Sequence, residues 1–460
     1  MTRKMEEFKP INDKKVGIYS CGPTVYWNQH IGHMYAYVQW DTMVRALRYQ
    51  DLNVKWVMNI TDVGHLTSDQ DIGEDKMEKG AKREGLTVWQ IADKYIVQFK
   101  ESMKLLNITS PDVLCRATDH INEQIELIKK IETNGFTYKT KTGLVFDTSK
   151  FVDYAKFANL NLSEQEAGAS VEVDREKKNP WDFLLWVTNQ PEHIMKWDSP
   201  WGVGFPGRHI ECTAMSTKFL GPQFDIHTGG IEHIPVHHTN EVAQAFGAFG
   251  RQTANYWLHN CWLVFNGEKM SKSLGNSILV TDLVEKGYDP LALRYLILNS
   301  HYRTGLNFTW EAIGGAQKAL VRLGLKISAL RQSLQEDLLE TAVGCAGYEQ
   351  KFIDAINNDL NLPQALAVAW KLVNDESMPA KARLTSLLRF DKVLGLSLSE
   401  KSQSKTEQIK ISVELQKLIE KREKLRKEKE FSKADAVRKE IEDLGFTVED
   451  IPSGQKISKA

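Results

Sequence analysis

The run Lys15-Val16-Gly17-Ile18-Tyr19, leading through Cys21-Gly22-Pro23 to His30-Ile31-Gly32-His33, decides the fold. Residues 15–19 read as a short buried strand and the Gly-Pro stretch as a loop. Residues 31–49 carry helical periodicity, and residues 53–59 read as the next strand. Strand, motif-bearing loop, helix and strand open a doubly wound parallel sheet of the α/β class. The pattern resumes with a helix near 210–219, a strand at 224–227, a helix near 236–248 and an apolar strand at 256–265. Residues 119–200 hold helical, hairpin-like and Trp/Pro-rich segments that fit neither half. They read as an insertion at the crossover of one Rossmann-type domain made of 1–118 and 201–265.

A Lys/Ser loop and a helix at 289–299 fill a junction spanning 266–308. Residues 309–396 are helical throughout, with apolar residues at three- and four-residue spacing, and 397–406 form a mostly polar linker. The remainder of the C-terminal region, to residue 460, offers a charged helix at 409–429, a shorter one at 432–444 and a small strand near 446–451.

A chain of 460 residues, 42% hydrophobic, buries a large core and divides into roughly two to four domains. Its formal charge of -1 does not advertise nucleic-acid binding, so any RNA contact must come from local basic patches. No apolar stretch approaches the ~20 residues a membrane helix needs. The start, Met1-Thr2-Arg3-Lys4-Met5-Glu6-Glu7, lacks the apolar core of a secretory signal, and a cytoplasmic, monomeric enzyme is expected. Five cysteines, at 21, 115, 212, 261 and 345, include no close pair, which argues for reduced thiols. Cys115, Cys261 and Cys345 are most simply small buried hydrophobes.

Two sets of residues carry chemistry. Lys269-Met270-Ser271-Lys272-Ser273 places two lysines three apart on a Ser-containing loop, a cationic clamp suited to a triphosphate. His30 and His33, at a helix start with Gly32 between them, reach phosphates from the other side. A Lys/Ser-rich loop alone is usually just solvated; the two tetrads in this order are far more specific. The second set is Cys21, Cys212, His237 and Glu241. His237 and Glu241, four apart in a helical segment, share one face. Cys21 ends the first strand and Cys212 lies in the helix opening the second half, places that converge at the switch point of a doubly wound sheet. Two thiolates, an imidazole and a carboxylate suit Zn²⁺ at ~2.0–2.3 Å. Spacing alone favours two buried cysteines and a solvated His–Glu pair, because only one pair of the four is local. His238, next to His237, is expected to point about a quarter-turn away, as a group behind the ligands or on the phosphate side.

The paired tetrads resemble those of class I aminoacyl-tRNA synthetases. Tyr19-Ser20-Cys21-Gly22-Pro23-Thr24-Val25-Tyr26, Gly207-Arg208-His209-Ile210-Glu211-Cys212 and His237-His238-Thr239-Asn240-Glu241 narrow the resemblance to the cysteinyl-tRNA synthetase family, over residues 6–452. The resemblance implies that Cys21, Cys212, His237 and Glu241 bind one zinc, which selects L-cysteine by its thiol. A thiol ionises onto zinc far more readily than a hydroxyl, and a site built on one such bond rejects the analogue lacking it by ~10⁴ or more. It further implies ATP with Mg²⁺ bound by His30, Gly32, His33, Gly229, Gly230, Lys269, Ser271 and Lys272, and adenine read by backbone near Leu263 and Val264. The amino-acid pocket would be walled by Cys21, Thr61, Arg208 and Glu232. The insertion would help hold the acceptor end of tRNA(Cys). The basic residues between Lys417 and Lys439, which by themselves also suit a solvated helix laced with salt bridges, would meet its anticodon.

The chain departs from that family in places. Arg208 stands where Trp is expected, Glu232 where Asp is usual and Thr239 where Glu is usual. Thr61-Asp62-Val63-Gly64-His65 differs from the commoner Thr-Asp-Ile-Asp-Asp and leads into a long charged insertion. The start lacks an apolar strand often found before Arg3, and Ile457 replaces a terminal Trp. Two other readings share the core: a ligase joining cysteine to an amino sugar, which would lack the tail, and a silent RNA-binding paralogue, which would not need both tetrads.

Overall fold

The structure is a computed structural model that describes residues 4–64, 75–160, 176–270, 275–334, 343–401, 413–428, 430–443, 446–451 and 454–459. It divides into two units, Met1–Leu398 and Ser399–Ala460. The first unit begins, in the predicted order, with β1 (Lys15–Ser20), α1 (Ile31–Tyr49) and β2 (Asn53–Ile60). The charged insertion after β2 proves helical where it is described: α2 (Lys76–Glu84) and α3 (Val88–Leu105) lead into β3 (Val113–Arg116). The Asp75 carboxylate caps α2 by accepting from the Glu78 N–H at 2.8 Å, and Thr87 with Gln90 caps α3 reciprocally.

The crossover holds α4 (Ile121–Thr133) and an antiparallel sheet of β4 (Thr137–Lys139), β5 (Gly143–Phe146), β6 (Phe183–Val187) and β7 (Phe205–Pro206). The chain then returns through α5 (Ile210–Leu220), β8 (Phe224–Gly230), α6 (Thr239–Phe249) and β9 (Ala254–Asn260). The main sheet runs β3-β2-β1-β8-β9, parallel throughout, so its order reverses between β1 and β8. That reversal opens a crevice at the carboxyl ends of the strands.

The single strand predicted at 256–265 breaks in two. Beyond β9 the Cys261 N–H donates to the Tyr302 carbonyl at 2.7 Å, and the Leu306 N–H donates to the Trp262 carbonyl at 3.1 Å. These bonds carry the chain into a second sheet of β10 (Leu263–Phe265), β11 (Glu268–Lys269) and, after α7 (Val280–Glu285) and α8 (Pro290–Leu298), β12 (Leu306–Phe308). Asp289 caps α8 and Pro290 opens it. The helical region follows as α9 (Trp310–Gln332), α10 (Ala346–Asn357), α11 (Leu362–Asn374) and α12 (Ala380–Leu394), ending at the short α13 (Leu398–Lys401). In the second unit α14 (Val413–Lys427) and α15 (Phe431–Asp443) precede β13 (Phe446–Ile451), which pairs antiparallel with β14 (Gly454–Lys459), a strand not foreseen. Val437, Ile441 and Val448 form its core. Among the described residues no helix is long and apolar enough to cross a membrane.

Arg294 on α8 ties the helices to the sheet domain. Both it and Asp41 of α1 are fully buried, 2.6 Å apart. Its guanidinium also donates to the carbonyls of Leu394, Leu106 and Asn107 at 2.6, 3.1 and 3.1 Å. Asp41 additionally accepts from Arg45 Nε and the Thr109 N–H, both at 2.8 Å. Removing one partner of such a pair strands a buried charge and its neighbouring carbonyls. Arg294→Leu is expected to lower unfolding free energy by ~3–5 kcal/mol in urea titrations, whereas a loss below ~1 kcal/mol would show that water reaches Asp41.

Candidate active site

Every strand of the parallel sheet that borders the switch point ends in a candidate residue. At the end of β1 the Cys21 N–H donates to the Thr228 carbonyl of β8 at 3.1 Å, while the next N–H, of Gly22, turns to Asn59 Oδ1 on β2 at 2.8 Å. Asn59 Nδ2 in turn donates to Thr61 Oγ1 at 2.9 Å, which places Thr61 on the same rim. Gly229 and Gly230 end β8. The helix predicted at 236–248 begins instead with a short 3₁₀ turn, Ile231–His233, and a π-helical turn, Ile234–His238, before α6 becomes regular.

The four residues expected to meet do so: Cys21, Cys212, His237 and Glu241 have donor atoms within 4.8 Å of one another. His237 Nε2 lies 3.1 Å from Glu241 Oε1, and Cys21 Sγ lies 3.8 Å from His237 Nε2 and 3.9 Å from Glu241 Oε1. Donors of a tetrahedral zinc site at ~2.0–2.3 Å from the metal stand roughly 3.3–3.8 Å apart, so the set fits that ion in spacing and in chemistry. Hydrogen bonding to Cys21, then burial, pushes the Cys212 thiol well above its usual range. For Cys21, burial and the charges of Glu241, Glu211 and Glu232 outweigh the lowering effect of its bond to Cys212. Burial raises the Glu241 carboxyl, and it opposes charge on His237, yet Cys212 and Glu241 together push His237 up to about 10.

His238 is not turned away. It is fully buried, with Nε2 3.4 Å from Cys21 Sγ and 3.9 Å from Glu241 Oε1, because residues three and four before Glu241 share its face. It forms a second donor group with Cys21, His227 and Glu241. His227, His259 and His209 were not singled out from sequence. Yet His227 Nε2 lies 3.5 Å from Cys21 Sγ, His259 Nε2 lies 2.7 Å from His238 Nδ1, and His209 Nδ1 lies 2.8 Å from His237 Nδ1. Burial holds His227, His233 and His238 well below the imidazole range. Buried histidines on the apolar strands β8 and β9 were the available signal. His209 takes a left-handed φ of 78° at the start of α5, a conformation unusual without glycine.

The phosphate side assembles at the head of α1. His30 caps the helix through Nδ1, accepting from the Gly32 N–H at 3.1 Å, and the His33 ring stands 3.8 Å from it. A Cβ on Gly32 would lie 2.8 Å from the His30 ring and 3.6 Å from Met270 Cε, so Met270 packs onto this turn. The Ile31 N–H also donates to the Ile278 carbonyl at 2.8 Å. Lys269, exposed on β11, sits 5.5 Å above the Trp262 ring. Ser271 and Lys272 lie outside the described residues. Arg208 is half-buried and directly precedes His209 at the start of α5. Glu232 is exposed and accepts from Trp262 Nε1 at 2.9 Å.

Residues 7–318 match the model of the class I (C) tRNA synthetase catalytic domain, and residues 410–457 match the cysteinyl-tRNA ligase anticodon binding domain. The chain is 44% identical to a cysteine–tRNA ligase of Treponema denticola, covering 97% of this chain and 96% of that one. It is 39% identical to one from Thermus thermophilus, covering 99% and 97%. A methionyl-tRNA synthetase of Mycobacterium tuberculosis in complex with methionyl-adenylate shares the fold at a TM-score of 0.56 and 17% identity, covering 84% of this chain and 91% of that one. A crevice joining a thiol-imidazole-carboxylate cluster to paired histidines is thus found in a chain that belongs, over nearly its whole length, to the cysteine–tRNA ligase family of class I aminoacyl-tRNA synthetases.

Proposed function

We propose that this protein is a cytoplasmic cysteine–tRNA ligase, active as a monomer. It joins L-cysteine to ATP as cysteinyl adenylate with release of pyrophosphate, then transfers cysteine to the 3′-terminal adenosine of tRNA(Cys). The observation that carries this reading is the meeting of Cys21, Cys212, His237 and Glu241 at the switch point, together with the paired His30 and His33 at the head of α1. Zinc held by those four residues would accept the substrate thiolate and so distinguish cysteine from serine.

The chain's own residues do the rest by position and charge. His30 and His33, presented at a helix N-terminus, meet the phosphates of ATP·Mg²⁺, with Gly32 allowing close approach. Lys269 and Lys272 close from the opposite side and neutralise charge as pyrophosphate departs, a reaction whose catalysis is mostly alignment and electrostatics. Gly229 and Gly230 receive the ribose, and Thr61, Arg208 and Glu232 surround the amino acid. Transfer to the 2′-hydroxyl of the terminal adenosine needs a proton acceptor, a role open to the adenylate's own phosphate oxygen. The second unit, with its basic α14, suits the anticodon stem and favours tRNA over an amino sugar as acceptor.

Cysteine-dependent ATP–pyrophosphate exchange is the direct test of the reading. Cys212→Ser should lose zinc and raise the KM for cysteine at least tenfold; unchanged affinity without bound metal would refute the thiol-selection role. For Lys272→Ala, exchange should slow by about 10²–10³-fold with zinc content intact, and a normal rate would remove Lys272 from the mechanism. A chain ending at Leu398 should keep exchange while losing most tRNA charging, measured with tRNA(Cys); undiminished charging would free the second unit from anticodon reading.

A further inference from the structure

Trp262 is a large apolar side chain left on the surface, 44% exposed, where the chain passes from β9 to β10. Its backbone is pinned, because its carbonyl accepts from the Leu306 N–H and the Cys261 N–H beside it donates to Tyr302. The indole therefore stands at a fixed place on the crevice rim, and it is used there. Its Nε1–H donates to Glu232 Oε2 at 2.9 Å.

Glu232 is bent back on itself. A Cβ built on Gly230 would lie 2.3 Å from both of its carboxylate oxygens, so the carboxylate occupies the space that the glycine leaves over the end of β8. A freely rotating surface glutamate would have no reason to fold there against its own strand. The indole bond supplies one. Glu232 lies on the 3₁₀ turn that runs directly into the π-helical turn bearing His237 and His238, one turn before the donor cluster. A carboxylate fixed there suits the ammonium group of an amino acid whose side chain enters the cluster.

We propose that Trp262 is a positioning residue: its indole N–H holds the Glu232 carboxylate folded over Gly230, aimed at the ammonium group of the substrate. This rests on the ligase reading above. The ring also carries Lys269 on its face, so the test must separate the N–H from the ring.

Trp262→Phe does so, since phenylalanine keeps an aromatic face and loses only the donor. In cysteine-dependent pyrophosphate exchange, W262F should raise the KM for L-cysteine about tenfold, the scale of a hydrogen bond to a charged group, with kcat, the KM for ATP and zinc content little changed. In a Glu232→Ala background the carboxylate that the indole would hold is gone, so adding W262F should change nothing further. An unaltered cysteine KM in W262F, or an equal loss in both backgrounds, would overturn the proposal. Absence of exchange in the parent protein would overturn the ligase reading and this assignment together, whereas a normal parent beside an indifferent W262F overturns only the assignment.

Discussion

Parallel pairing of β1 with β8 is the constraint on which the rest of the first unit depends. The two strands come from stretches 208 residues apart, and Ser20 sits at their seam. Its hydroxyl accepts from Thr228 Oγ1 at 2.8 Å and from Trp56 Nε1 at 2.9 Å, so β1, β2 and β8 are locked in one register. That register sets Cys21 beyond the end of β1 opposite Gly229 and Gly230. A shift of one residue would turn Cys21 to the other face and disperse the cluster. Long-range closure of this kind costs chain entropy, and the large buried core around the sheet offsets it.

The donor cluster shows what that closure makes possible. Burial disfavours charge throughout this set: it raises Glu241 and lowers His227 and His238, while hydrogen bonding to Cys21 and then burial raise Cys212. One imidazole, His237, is pushed the other way by Cys212 and Glu241. A cation among them would offset that cost, which is the physical reason such a set suits a metal. The cluster is also wider than four residues, since His209 and His259 fix the rings of His237 and His238 from behind.

Electrostatics are handled differently at the other junction. Arg294 and Asp41 are buried with every strong partner supplied, by side chains and by the carbonyls of Leu394, Leu106 and Asn107. That pair binds α8 to α1, whose first turn carries His30 and His33. The helices after the lysine loop and the phosphate-facing turn therefore share one rigid anchor.

Much was legible in the residues alone. The apolar run 15–19, the helical period after Ile31 and the spacing of His237 and Glu241 are local patterns, and local patterns determine strands, helices and shared faces whatever surrounds them. Both tetrads, and the resemblance resting on them, needed only adjacent residues to be read. Tertiary structure alone decided the remainder. The break between β9 and β10 arises from backbone bonds to Tyr302 and Leu306, some forty residues downstream, and no period in 256–265 announces it. The turning of His238 toward Cys21 depends on the π-helical entry to α6 and on sheet closure together. Convergence of Cys21 with Cys212, and of Trp262 with Glu232, joins residues with no sequence relation. Local periodicity encodes which way a side chain faces on its own element, while the distance between elements is set by packing, which only the folded chain possesses.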